Sequence, residues 1–136
     1  MSKKSQYIST NRSKHYLKAH IILVTKYRRN ILVGQLNDDL KSIFTSIANN
    51  SDFEIEVMET DKDHVHFLIR YIPRLSIAQI VRRLKQESTR QLWLLHGKIL
   101  RKQYWYQKLF WSDGYFVCSI GEASPETIRQ YILSQG

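Results

Sequence analysis

The sequence predicts an α+β fold of the ferredoxin-like (βαββαβ) type: one four-stranded antiparallel sheet with helices packed on it and an additional C-terminal helix. Short apolar or alternating runs recur at 19–25, 53–57, 64–71 and 115–120, where strands belong. Stretches with helical apolar spacing fall after the first, third and fourth of them. The short polar turn Asp61-Lys62-Asp63 precedes the third run, which favours its antiparallel pairing with the second. A length of 136 residues suits a single domain, 1–136.

Residues 1–14 are polar and basic and read as a flexible arm. Ala19 to Thr25 is apolar and β-branched, as expected of a central strand buried on both faces. The cluster Lys26-Tyr27-Arg28-Arg29 follows. Leu36, Leu40, Ile43, Phe44 and Ile47 fall on one helical stripe, ended by Asn49-Asn50-Ser51-Asp52. Phe53, Ile55 and Val57 alternate with Glu54 and Glu56, giving a strand with one wet face. Pro73 closes the strand His64 to Tyr71. Ser76 is the expected N-cap of a long helix with Ile77, Ile80, Val81, Leu84, Leu92 and Leu95 inward and Gly97 at its end. The aromatic and basic stretch from Lys98 to Trp111 carries no clear period. Tyr115 to Ile120, closed by Gly121, reads as the fourth strand. Ser124-Pro125-Glu126 then starts the last helix, with Ser as N-cap and Pro at the first helical position.

The formal net charge is +9, from 21 Lys plus Arg against 12 Asp plus Glu. That excess favours a polyanionic partner, a signature nucleic acid shares with membrane surfaces and heparin-like chains. Cys118 is the only cysteine, which excludes an intrachain disulfide and a cysteine metal cluster. Lying in an apolar run, it reads as a buried, inert thiol. No apolar leader and no run of about 18 apolar residues is found, so the expected location is cytoplasmic. Gly-rich phosphate loops and Cys/His zinc patterns are missing.

The central chemical feature is His64-Val65-His66 within a strand. Side chains at i and i+2 share a face, about 6 to 7 Å apart, so two imidazoles there can share one metal ion. Two strand histidines at the edge of a pocket are the plainer alternative. On the last helix Tyr131 and Gln135 are one turn apart on the same face. A tyrosine hydroxyl becomes a competent nucleophile once a metal or cation stabilises its phenolate, and an amide oxygen suits a hard divalent ion. Membership of the apolar stripe with Ile128 and Ile132 is the plainer reading of Tyr131 on these residues alone. Lys26, Arg28 and Arg29 with Tyr27, and Arg82, Arg83, Lys85 and Arg90 on the long helix, are candidate DNA contacts. Arg101, Lys102 and Lys108 lie among Tyr104, Trp105, Tyr106, Phe110 and Trp111. Cations pair with phosphates and rings take unstacked bases; a solvated charged face explains the same residues without DNA.

Taken together, three stretches resemble the single-tyrosine HUH transposases of the TnpA type, encoded by small insertion sequences. They are Tyr16 to Arg29 with its Lys-Tyr-Arg-Arg ending, Glu59 to His66 with the His-hydrophobic-His motif, and Trp111 through Gly121 to Tyr131-Ile132 and Gln135. Lys85-Gln86-Glu87-Ser88-Thr89-Arg90 departs from the family's frequent Lys-Gly in that helix. The resemblance implies a homodimer that acts on single-stranded DNA carrying hairpins. It implies that His64, His66 and Gln135 hold Mg2+ or Mn2+ and that Tyr131 forms a 5′-phosphotyrosine intermediate. In such proteins the tyrosine helix can serve the partner's histidines. A non-catalytic single-stranded nucleic-acid-binding module and a metal-dependent phosphodiesterase are the competing readings.

Overall fold

The computed structural model describes residues 8–9, 14–15, 17–119 and 124–135. Its strands are Ile8–Ser9 (β1), Lys14–His15 (β2), Leu17–Val24 (β3), Glu54–Asp61 (β4), His64–Tyr71 (β5) and Phe116–Ser119 (β6). Its α-helices are Gly34–Asn49 (α1), Ile77–Tyr104 (α2) and Pro125–Ser134 (α3). The main sheet runs β4-β5-β3-β6 with every neighbouring pair antiparallel, the strand order of the expected fold. Within the stretch expected to be a flexible arm, β1 and β2 pair as a two-stranded ribbon. The rest of that arm lies outside the described residues.

β3 lies centrally between β5 and β6, and its second half, Ile21 to Val24, is buried on both faces. Ile21 and Leu23 join Val65, Phe67 and Ile69 of β5 in one core beneath α1 and α2. All five of these side chains are fully buried, and Leu36, Leu40, Ile43, Phe44 and Ile47 of α1 meet them as the stripe predicts. Ile22 and Val24 point to the opposite face and are equally buried. α2 starts as expected: Ser76 Oγ accepts from Gln79 N and the Gln79 side chain accepts from Ser76 N, a reciprocal capping box.

Several expectations need correction. The alternation over 53–57 slips, because a β-bulge lies between Ile55 and Val57. The extra residue shifts the pleat, so Ile55 and Met58 pack on the core while Val57 is 37% exposed. α2 does not end at Gly97. It bends at His96 (φ −127°, ψ 28°) and continues to Tyr104. His96 takes the inward position between Leu92 and Leu100, and its Nε2 lies 2.6 Å from Asp39 Oδ2 of α1. Leu95, expected inward, is therefore turned to solvent and 60% exposed. The segment from Lys98 to Trp111 divides: Tyr104, Phe110 and Trp111 are buried, whereas Trp105 and Tyr106 are exposed. Trp111 Nε1 donates to Ser88 Oγ at 3.0 Å, which seats a hydroxyl inside α2. Cys118 is half-buried rather than buried, since β6 is an edge strand. Ile120 and Gly121 lie outside the described residues. Among the described residues no helix is long and apolar enough to cross a membrane.

Candidate active site

Because β5 alternates, Val65 and Phe67 enter the core while His64 and His66 emerge on the other face. There they line a cleft of about 410 Å³ with Glu59, Thr60 and Asp61 of β4 and with Pro125 and Ile128 of α3. Glu59 stands opposite His66 and Asp61 opposite His64 in the β4–β5 ladder, so two carboxylates border the pair. His64 Nδ1 is 2.9 Å from Asp63 Oδ1. His66 Nε2 is 2.8 Å from His20 Nδ1, and the two rings stack with centroids 5.0 Å apart. Burial is the main cause that pushes the His66 pKa down; His20 and His64 add to it and Glu59 opposes. The neutral imidazole, the form that ligates metals, is favoured there.

α3 carries Tyr131 elsewhere. Ser124 Oγ accepts from Thr127 N, capping the helix as expected, and its first turn covers the histidine cleft. A turn later Tyr131 packs on Phe116, ring centroids 5.7 Å apart. A Cβ on Gly114 would lie 3.6 Å from the Tyr131 hydroxyl. Phe116 faces Ile22, which faces His66, so two strand spacings, roughly 10 Å, separate the tyrosine's seat from the histidine. The hydroxyl is enclosed with no hydrogen-bond partner among the described residues, and burial pushes its pKa up. Gln135 caps the C-terminus of α3, its Nε2 donating to Ser134 Oγ at 3.1 Å. Within one chain, then, His64 and His66 are brought together, and Tyr131 and Gln135 do not line their cleft. Among the described residues no three or more His, Cys, Asp or Glu side chains form a group able to hold a metal.

The basic cluster lies at the His64 end of the sheet. Thr25 N donates to Asp63 O at 2.9 Å, joining the two loops. Tyr27 (φ 60°) and Arg28 (φ 49°) both adopt the left-handed conformation, which costs about 1–2 kcal/mol per non-glycine residue. Buried Thr25 holds that turn through Oγ1 to Arg29 O at 2.8 Å, and Tyr104 donates to Lys26 O at 3.0 Å. The Tyr27 ring is half-exposed, with the Lys26 ammonium and the Arg29 guanidinium each 5.6 Å from its centroid. Arg82, Arg83 and Arg90 are exposed on α2, across the sheet from the cleft. Arg90 is held by Glu87 at 2.7 Å. Lys85 turns inward and donates to the carbonyls of Ser112, Asp113 and Gly114 at 2.8, 3.1 and 2.9 Å. Burial pushes its pKa down, opposed by Asp113. Sequence reasoning did not single out His20 or Asp63 as residues of the site. Asp63 sits beside the motif, but nothing local reveals which strand His20 will neighbour.

The chain is thus a ferredoxin-like sheet with paired histidines on one strand and a tyrosine-bearing terminal helix. Residues 13–135 match the family model described as "Transposase IS200 like". This chain belongs to that family. It is 34% identical over 121 residues to the ISDra2 transposase TnpA of Deinococcus radiodurans, covering 89% of this chain and 85% of that protein. It is 29% identical over 118 residues to the transposase for insertion sequence element IS200 of Salmonella typhimurium, covering 87% and 76%. A solved structure of a transposase candidate from Deinococcus radiodurans superposes with a TM-score of 0.81 at 31% identity, covering 99% of this chain and 98% of that one. A REP-associated tyrosine transposase bound to a REP hairpin shares the fold alone, with a TM-score of 0.56 at 16% identity over 92% and 68% of the chains. Membership in a transposase family carries with it DNA cleavage and strand transfer.

Proposed function

We propose that this transposase cuts and rejoins single-stranded DNA at hairpin-bearing element ends, with Tyr131 as nucleophile and His64, His66 and Gln135 as ligands of Mg2+ or Mn2+. The observation that carries the reading is the histidine pair in its cleft, each ring with one nitrogen engaged by a neighbour. The donor set fits a divalent ion in part: two imidazoles share one face with acidic residues alongside, and the third ligand, the amide oxygen of Gln135, would have to be brought to them from outside the cleft. An ion held there would polarise the scissile phosphate and neutralise developing charge.

In the reaction the Tyr131 oxygen attacks phosphorus and the bond to the 3′ oxygen breaks. The phenol loses its proton, the leaving oxygen takes one up, and the products are a 5′-phosphotyrosine and a free 3′-hydroxyl. A second 3′-hydroxyl then attacks the same phosphorus and expels the tyrosine, so joining needs no ATP. Burial beside Gly114 pushes the Tyr131 pKa up, and the tyrosine rests outside the histidine cleft, so in this reading it attacks only after delivery to the histidines. The separation within one chain supports a homodimer in which α3 serves the partner's cleft. Lys26, Arg28 and Arg29 would take phosphates beside the site, and Tyr27 would stack a base. Arg82, Arg83 and Arg90 offer a second cationic surface for the hairpin, and Lys85 supports it by bracing the 112–114 loop.

The test uses single-stranded oligonucleotides from the DNA flanking the gene, with Mn2+, on a denaturing gel. Wild type should give a covalent protein–DNA adduct that EDTA abolishes, Tyr131→Phe should give none, and His64→Ala or His66→Ala should bind the hairpin yet not cleave it. Because Tyr131 rests outside the cleft, a phosphodiesterase that activates water is the second reading. Hydrolysis persisting in Tyr131→Phe would establish it instead.

A further inference from the structure

An imidazole in the middle of an apolar strand is costly to bury unless it is hydrogen-bonded. His20 is such a residue, half-buried between Ala19 and Ile21 on β3. It stands opposite Leu68 of β5, while His66 stands opposite Ile22, so the two histidines are diagonal neighbours on one face of the sheet. That offset brings His20 Nδ1 to 2.8 Å from His66 Nε2, with the ring planes only 19° apart. His64 has a matching arrangement, its Nδ1 held by Asp63 at 2.9 Å. Among the described residues no hydrogen bond engages the remaining nitrogens, Nε2 of His64 and Nδ1 of His66.

A ligating histidine presents a lone pair on one nitrogen and carries its proton on the other, which must find an acceptor. For His64 the acceptor is the Asp63 carboxylate. For His66 the acceptor in reach is the Nδ1 lone pair of His20, available when His20 carries its own proton on Nε2. We propose that His20 is a positioning residue for metal binding, which sets the tautomer and ring plane of His66 and leaves Nδ1 as the donor atom. His20 does not act as a ligand itself. His64 stands opposite Val24 and His20 lies beyond His66 in the other direction, and the three do not form a metal-holding group. The inference rests on the reading of His64 and His66 as ligands.

The test is calorimetric titration of Mn2+ into the full chain without DNA, together with the visible absorption of the Co2+ form. His20→Phe keeps the stacked ring without the acceptor. His20→Asn places an amide oxygen near the Nδ1 position, and His20→Gln places one nearer Nε2. His20→Phe and His20→Gln should lose on the order of 10- to 100-fold in Mn2+ affinity and change the Co2+ spectrum. His20→Asn should stay within a few-fold of wild type, and all three should bind a DNA hairpin normally in EDTA. Wild-type affinity and spectrum in His20→Phe would overturn the role, as would equal loss in all three variants, which would mark His20 as structural only. His64→Ala and His66→Ala separate the two readings. If they also bind Mn2+ like wild type, the metal site itself is misplaced and the role of His20 falls with it.

Discussion

Tyr27 illustrates how a single residue in a left-handed conformation shapes the surface of this protein. Its left-handed backbone turns an aromatic ring outward between two cations, where a base can stack. Asn tolerates that conformation better than most residues but has no ring to offer. Tyr27→Asn should therefore leave the melting temperature unchanged and weaken single-stranded DNA binding by about 1–3 kcal/mol in fluorescence anisotropy. Undiminished affinity would mean that the ring faces no base. The histidine pair was legible at this scale because i and i+2 share a strand face. His20 was not, because its partner is 46 residues away in sequence.

At the scale of elements, caps and stripes were legible and bends were not. Ser76 with Gln79, and Ser124 with Pro125, announce their helices from neighbouring residues, as capping requires. At the kink His96 meets Asp39 of another helix, a contact that no local spacing reveals. The His96 hydrogen bond, with help from Gln35, holds the Asp39 carboxyl below its ordinary 3.8. A lowered carboxylate pKa contributes stability that is present above the unfolded value and lost as pH falls through the folded one. Asp39→Ala should thus be less stable than wild type near neutrality, with the gap closing below about pH 4 in urea melts. Lys85 makes a parallel case. Its three bonds to carbonyls brace the loop beside Tyr131, so Lys85→Met should cost on the order of 1–3 kcal/mol of stability. The salt dependence of DNA binding should stay unchanged in that variant, whereas Arg29→Met should reduce its slope by about one. The reverse pattern would make Lys85 a phosphate contact.

For the whole molecule, the question is how the proposed nucleophile on α3 would reach a cleft on β5. Pro125 and Ile128 already cover that cleft from the same chain, while Tyr131 faces Phe116 and Gly114. If the tyrosine serves the partner's histidines, a mixture of His66→Ala and Tyr131→Phe proteins should cleave although neither does alone. In the mixed dimer one cleft keeps both histidines and receives an intact tyrosine. No recovery on mixing, with each variant folded and dimeric, would place the reaction within a single chain. The charge of +9 belongs to this scale as well. The candidate DNA-contact cations divide between the His64 end of the sheet, with Lys26, Arg28 and Arg29, and α2, with Arg82, Arg83 and Arg90, and a DNA hairpin touching both would have to pass around an edge of the domain.

Periodicity and composition were enough to read the strand and helix order, the inward faces of α1 and β5, and the polyanionic partner. Resemblance along the chain added the family. Each of these depends on residues within a few positions of one another or on sums over the chain. Folding alone revealed that His20 stacks on His66, that Lys85 reaches a loop 27 residues away, that Leu95 faces water, and that Tyr131 rests apart from the histidines. Such contacts depend on which strands become neighbours and where a bulge or kink rotates a side chain. Strand order and crossing geometry set them, and a local spacing rule carries no information about either.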